Sequence, residues 1–397
     1  MKKIIKIFFL IRKCMYFFLG RLLNFFTKQN VIIFESFPEL DGSPWMVYKE
    51  LIRRGFEKKY NLVWVGNSNF KAPKDIKYVP FFGMTSLHQV LIREVYLFRA
   101  KVIIESNRPI LKTNPRTFRL HTQHGAPLKA GSNFYKFALK DADAILSLSE
   151  NTACLEKTIF SFPKDKIFTL GYPTNDRLFE KIDLYKNGFW EELTHTKKHF
   201  DKIIGWLPTH RRYWYNSRFD ESKINPLGIT LLKTNADYEK INYLMNAKNF
   251  LLAIQLHPAH MKNIPKQGYS NIVFIPQSLK DSKKISTTNL LQNFDALITD
   301  YSAAYHEYIL LNKPIALSID DYEEYSSKVG FNIDYFDWIK GVYLKDISDL
   351  MKFIEDVSNG IDSAKTEREK AKCRIHKYFD NHSTQRVVDF LVEKAKL

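Results

Sequence analysis

A chain of 397 residues in which 45% are hydrophobic has apolar side chains enough for two cores, and is longer than a single core usually sustains. Its 60 Lys and Arg against 43 Asp and Glu give a net charge of +17, which favours an anionic partner: nucleic acid, an anionic membrane surface or a phosphate-bearing substrate. Three widely spaced cysteines, Cys14, Cys154 and Cys373, support neither a zinc knuckle nor a disulfide framework, and no RNP-type aromatics, zinc-finger spacing or dense Arg tract supports nucleic acid.

Residues 1–30, MKKIIKIFFLIRKCMYFFLGRLLNFFTKQN, start basic and continue rich in Phe. Lys6, Arg12 and Lys13 interrupt the apolar runs, so no stretch of about 18 apolar residues is available to span a bilayer. No small-residue cleavage motif follows Phe17, Phe18 and Leu19. The pattern predicts an amphipathic helix at an anionic membrane surface; a helix packed on the protein and true insertion are the alternatives.

Five β-branched runs come next: VIIFES at 31–36, NLVWVG at 61–66, KVIIES at 101–106, FRLHTQ at 118–123 and AILSLS at 144–149. Their alternation with longer helical stretches predicts a mostly parallel sheet covered by helices. After a charged, strandless stretch, a second series runs through KIIGWLP at 202–208, LLAIQLHP, NIVFIP, ALITDYS and PIALSID. The expected organisation is a membrane-surface segment at 1–30, a Rossmann-like domain at 31–185, a linker at 186–201 and a second Rossmann-like domain at 202–397, with the last helix a candidate for packing back on the first domain. Two doubly wound α/β domains of this kind are expected to face a central cleft. No G-x-G-x-x-G follows the first strand and no Walker A sequence is present, so neither a nicotinamide dinucleotide enzyme nor a P-loop machine is supported.

Polar, catalytically capable residues close four of the apolar runs: LHTQHGAPLK, GWLPTHRR, AIQLHP and LITDYSAAYHEY. Gly125 gives the backbone beside His124 room for a close approach, and Pro258 holds His257 in extended backbone at a strand end. Each imidazole reads either as a hydrogen-bonded structural residue or as one of a pair, one taking a proton from an incoming hydroxyl and the other serving a phosphate oxygen or leaving group. His121, His124, His257 and His260 have no spacing that demands a metal, and none is expected. Ser302 at a helix start suits a pyrophosphate, with Glu307 a turn further on for a ribose hydroxyl; the alternative is an N-cap and a surface residue. His306 reads as a packing residue or as one that supports a neighbouring site residue. Arg211, after Thr209 and His210, and Lys129 offer cationic donors to an anionic oxygen, or are solvated surface charges.

In this order the motifs resemble those of the CDP-glycerol glycerophosphotransferase family, which builds teichoic acids and related polyol-phosphate capsules. FES at 34–36 looks like the family's first strand exit, and QHGAPLK at 123–129 resembles its His-Gly-Thr-Pro-Leu-Lys motif. GYPTNDRL at 171–178, LPTHR at 207–211, LHP at 256–258, TDYSAAYHEYILLNKPI at 299–315 and DNHSTQRVVDF at 380–390 follow in the family's order. Ala126, Thr174, Ala303 and Asn381 depart from the pattern.

The resemblance implies a GT-B type fold and a peripheral enzyme at the cytoplasmic face of the membrane. It implies His124 and His257 as the catalytic pair, and Arg211, Ser302, Glu307, Thr209, Asp300 and Arg386 around the donor, with Arg386 alternatively a clamp between domains. Lys129, Glu35 and Asp176 fall in its motifs as acceptor or phosphate contacts. The implied donor is CDP-glycerol or a related CDP-polyol, without a cofactor, and the implied acceptor is a lipid-linked glycan or polyol phosphate. The alternatives are a CDP-ribitol transferase, a GT-B nucleotide-sugar glycosyltransferase and a noncatalytic membrane-surface protein that binds anionic polymer.

Overall fold

The computed structural model describes residues 28–84, 86–123, 125, 130, 138–209, 229–256 and 268–397. The chain divides into two compact units, one of Met1–His124, Asn133–Asp176 and Asp380–Leu397, the other of Gly125–Ser132 and Arg177–Phe379.

Seven parallel strands carry the first unit: β1 Val31–Glu35, β2 Asn61–Asn67, β3 Tyr78–Phe82, β4 Ala100–Glu105, β5 Phe118–His121, β6 Ala144–Ser147 and β7 Ile167–Thr169. They lie in the order β3-β2-β1-β4-β5-β6-β7. Every residue of β1, VIIFE, is buried, which a strand attains when both faces of a parallel sheet are covered. Side chains alternate accordingly: Val31 and Ile33 join Val63, Val65, Ile103 and Leu97 in one core, while Phe34 stacks on Trp64 with ring centroids 5.7 Å apart. The flanking helices include α1 Gly42–Arg53, α2 Leu87–Arg99 and α3 Glu150–Phe160. Helix α3 starts at a capping box, in which the Ser149 and Thr152 side chains each accept the other's backbone N–H.

The second unit has six parallel strands, β8 Lys202–Trp206, β9 Phe250–Ile254, β10 Ile272–Phe274, β11 Ala296–Thr299, β12 Ile315–Ser318 and β13 Val342–Leu344. Their order is β10-β9-β8-β11-β12-β13. Helices α4 Phe189–Thr194, α5 Asn235–Ala247, α6 Gln277–Lys283, α7 Thr287–Gln292, α8 Ala304–Tyr308, α9 Tyr322–Lys328, α10 Tyr335–Trp338, α11 Ile347–Ser358 and α12 Lys365–Ile375 connect and flank them. On α11, Leu350, Phe353, Ile354 and Val357 fall at helical spacing and are buried against Ile204, Trp206 and Ile298. Each such side chain contributes about 1.5–3 kcal/mol relative to leaving it in water. Asp346 starts that helix by accepting the N–H groups of Ser348 and Asp349 at 2.8 and 3.0 Å. A Cβ at position 205 would fall 2.1 Å from the Phe294 ring, so only glycine lets that ring lie against β8. His306 is buried, as a packing residue should be, and its carbonyl is 2.6 Å from His376 Nε2. Burial pushes the two imidazoles down, to about 3 and about 4, so both are neutral core groups.

The last helix, α13 Ser383–Ala395, belongs to the first unit. Asp389 pairs with Arg54, the residue that follows α1, at 2.6 Å, and the Phe390 ring meets Phe168 of β7 at 4.4 Å. Three strands are not announced by apolar runs in the sequence, β3, β7 and β13, and all three lie at sheet edges. Pro80 within β3 has no N–H to donate, which an edge strand tolerates.

Candidate functional site

An open parallel sheet binds ligands beyond the carboxyl ends of its strands, where the strand order reverses. In the second unit that point lies between β8 and β11, and Thr209 and Asp300 leave the sheet there. Thr209 N–H donates to both Asp300 carboxylate oxygens at 2.9 Å, and Thr209 Oγ1 donates to Oδ1 at 2.5 Å. Thr299 Oγ1 adds a bond to the Leu207 carbonyl at 2.8 Å. Both Thr209 and Asp300 are buried, so the carboxylate ties the two strand exits together; a hydrogen bond to a charged group is worth about 1.5–3 kcal/mol.

The exit of β11 is anchored further by aromatic residues. Tyr335 OH donates to the Asp300 carbonyl at 3.1 Å, and Tyr301 OH donates to Asp321 at 2.8 Å. The Tyr301 ring stacks on Tyr325 at 4.1 Å. Ser302, half-buried, accepts the Ala304 N–H at 3.3 Å. Helix α8 runs only from Ala304 to Tyr308 before a 3-10 turn at Ile309–Leu311. Glu307 accepts a hydrogen bond from Thr288 Oγ1 at 2.8 Å.

Residues Gly125–Ser132 are part of this second unit. Gly125 has a φ of +141°, and a Cβ there would lie 2.6 Å from Ala303 Cβ. The close approach that the glycine permits is therefore made by the segment that carries Ser302. Ala130 N–H donates to the Gly330 carbonyl at 3.0 Å.

In the first unit the strand order reverses between β1 and β4, and both strands end in buried carboxylates. Glu35 Oε2 accepts the backbone N–H groups of Ser106, Asn107 and Arg108 at 3.3, 3.1 and 3.0 Å, and Oε1 accepts Arg108 Nε at 2.7 Å. The loop after β4 is thus wrapped around the end of β1. Glu105 accepts Ile110 N–H at 2.5 Å on one oxygen and Arg119 Nε at 2.9 Å on the other. Arg119, wholly buried, also pairs with Asp141. Burial alone would raise the Glu105 carboxyl; the Arg119 charge together with His121 outweighs it and holds the group below its ordinary value.

Glu35 stands out in the sequence as a strand exit, whereas Arg108, Glu105, Arg119 and Asp141 are not recognised there as partners. Their signal is a charge inside a run that must be buried on both faces, as in FRLH, because such a charge needs a counter-charge.

Asp176 and Arg386 sit together, also in the first unit. The Asp176 carboxylate accepts the N–H groups of Ser383 and Thr384, at 3.0 and 2.7 Å, at the start of α13. Arg386 donates to the Leu170 carbonyl at 3.0 Å and to both Asp380 oxygens at 2.9 Å. The structure thus gathers Thr209, Asp300, Ser302 and Glu307 in one unit and Glu35, Asp176 and Arg386 in the other. His124, His257, Arg211 and Lys129 lie outside the described residues, as do residues 1–27. Among the described residues, no group of three or more His, Cys, Asp or Glu is placed to hold a metal ion, and no helix is long and apolar enough to cross a membrane.

Comparison with known proteins adds three likenesses. The teichoic acid glycerol-phosphate transferase of Staphylococcus aureus is 25% identical over 394 residues, covering 92% of this chain and 94% of that protein. The teichoic acid poly(ribitol-phosphate) polymerase of Bacillus spizizenii is 24% identical over 379 residues, covering 92% of this chain but 56% of the polymerase, so the chain spans about half of that relative's length. The solved structure of the wall teichoic acid polymerase TagF superposes with a TM-score of 0.73 at 19% identity, over 99% of this chain and 96% of that one. The likeness is one of fold: two parallel sheets with flanking helices, a GT-B-like Rossmann architecture. The profile of the family described as CDP-glycerol:poly(glycerophosphate) glycerophosphotransferase matches residues 15–393, a span that contains every strand-exit motif described above, and the chain belongs to that family.

Proposed function

We propose that the protein transfers glycerol phosphate from CDP-glycerol to a hydroxyl of a membrane-linked acceptor, in the synthesis of a teichoic acid or capsule-type polymer. The observation that carries this reading is the placement of family-motif residues Thr209, Asp300 and Ser302 at the switch point of the second sheet, the position where open parallel sheets hold nucleotides. In the reaction the acceptor oxygen forms a bond to the phosphorus that bears glycerol. The bond from that phosphorus to the bridging oxygen breaks, and CMP leaves with its electron pair. His124 takes the acceptor's proton, and His257 hydrogen-bonds to the transferring phosphoryl group or its leaving oxygen. Arg211 and Lys129 supply positive charge to the phosphates, Glu307 serves the donor ribose, and Glu35, Asp176 and Arg386 keep the strand exits and the closing helix in position. The chemistry needs no cofactor. Residues 1–30, basic and Phe-rich, bring the enzyme to an anionic membrane surface from the cytoplasmic side.

A second reading, CDP-ribitol as donor, is favoured by the likeness to a ribitol-phosphate polymerase, which is about as strong as that to the glycerol-phosphate transferase. A screen of CDP-glycerol, CDP-ribitol and nucleotide sugars with a lipid-linked acceptor, read by released nucleotide and product mass, tests both. CMP with a new phosphodiester supports the transferase and names its polyol; UDP or GDP with a glycosidic bond refutes it.

A further inference from the structure

Strand β5 ends at His121 and is fastened there to β4. Thr122 N–H and Oγ1 both donate to the Glu105 carbonyl, at 2.8 and 3.0 Å, and His121 Nδ1 lies 3.4 Å from Glu105 Oε1. The next residue, Gln123, departs from this pattern in two ways. Its φ is +61°, in the left-handed region that a residue with a Cβ rarely occupies. Its side chain is buried, the residue being 4% exposed, and among the described residues Nε2 has no hydrogen-bond acceptor. A buried N–H2 group without an acceptor is rare in native proteins because it has lost water and gained nothing in exchange. Backbone strain at the same residue, on the ligand-binding edge of a parallel sheet, is a combination that persists where function maintains it.

We propose that Gln123 is a substrate-contacting residue whose Nε2 donates a hydrogen bond to a phosphate oxygen of a polyol phosphate held at this edge of the first sheet. The proposal rests on the transferase reading above and adds a residue and a ligand group to it. A phosphate oxygen satisfies an N–H2 group with a charge-assisted bond, and two sources carry that oxygen: the glycerol phosphate of the donor, and the polyol phosphate that ends an acceptor chain. The left-handed backbone turns the chain out of β5, and the amide reads whether the phosphate is there.

The test compares the full-length wild type with Gln123→Met and Gln123→Glu. Melting temperature is measured without ligand, and affinity is measured for CDP-glycerol and for glycerol 3-phosphate. Methionine fills the same volume without an N–H2 group, so the ligand-free Gln123→Met chain should melt at or above the wild-type temperature while its affinity falls about 10- to 100-fold. Gln123→Glu, which sets a carboxylate against a phosphate, should lose at least as much affinity. A loss confined to CDP-glycerol assigns the contact to the donor, and a loss confined to glycerol 3-phosphate assigns it to the acceptor. A Gln123→Met chain that melts lower without ligand and binds both compounds as the wild type does overturns the proposal and leaves the amide structural. A wild type that binds neither compound overturns the glycerol-phosphate reading, and this proposal with it.

Discussion

Glu156 offers a test of the first unit that does not depend on knowing the substrate. It lies on α3 with no exposed surface; Oε1 accepts from Tyr172 OH at 3.3 Å, and among the described residues Oε2 has no partner. Burial pushes its carboxyl up from 4.5 to about 8, and the Ser147 and Tyr172 hydroxyls offset this only in part. The folded chain therefore holds a neutral acid where the unfolded chain carries a carboxylate. Its stabilising contribution is complete below pH 4.5 and is lost as pH rises towards about 8. The slope is about 1.4 kcal/mol per pH unit, so over about 3.5 units the loss is about 5 kcal/mol. Glu156→Gln replaces the acid by a group of the same shape that never ionises. Urea unfolding of both proteins from pH 5 to pH 8 should show their stabilities converging at the acid end. The variant should gain on the wild type by about 4 kcal/mol across that range. Taking the difference between the two cancels every other titrating group. A difference that stays constant with pH would refute the argument, because it would mean that Glu156 ionises in the folded chain as readily as in the unfolded one.

Three other outcomes are expected. His124→Ala and His257→Ala should fold with unchanged circular dichroism and lose turnover by a factor of about 10² to 10⁴, and near-normal turnover in either would remove that residue from the mechanism. Arg119→Leu leaves Glu105 buried without its cation and should lower the unfolding free energy by about 3–5 kcal/mol in urea titrations, with Glu105→Gln in the same chain recovering part of the loss. Deleting residues 1–27 should reduce co-sedimentation with anionic vesicles, more so at low salt, and leave turnover of a short soluble acceptor intact; equal sedimentation would place the attachment elsewhere.

The centre of each sheet can be read in the sequence because a strand covered on both faces has to be an unbroken apolar run. VIIFE, KVIIE and ALIT say so plainly, and their last polar residue marks the exit where Glu35 and Asp300 stand. Three of the sheet edges, β3, β7 and β13, escape the same logic. YVPFF is partly exposed along its length, and IFT and VYL are three residues each, too short to show a period. Partners of the buried charges are equally hard to foresee. Glu35 meets Arg108 across 73 residues of chain, so only the folded sheet brings them together, and an unaccompanied Arg119 in FRLH looks like a surface residue until β5 is known to lie inside. Gln123 is harder still, since what sets it apart is a backbone angle and the lack of an acceptor among the described residues, neither of which leaves a mark in the residue types around it.

The first unit is discontinuous, and this has a consequence for how the protein is made. Its sheet is encoded by residues up to 176, but the helix that meets Arg54 and Phe168 begins at Ser383, after the whole of Arg177–Phe379. A nascent chain therefore leaves Arg54, Phe168 and the Asp176 carboxylate without these partners throughout translation of some two hundred further residues. At about 5–20 residues per second that wait lasts on the order of tens of seconds. A premature stop in the second half of the reading frame therefore removes contacts from the half already made.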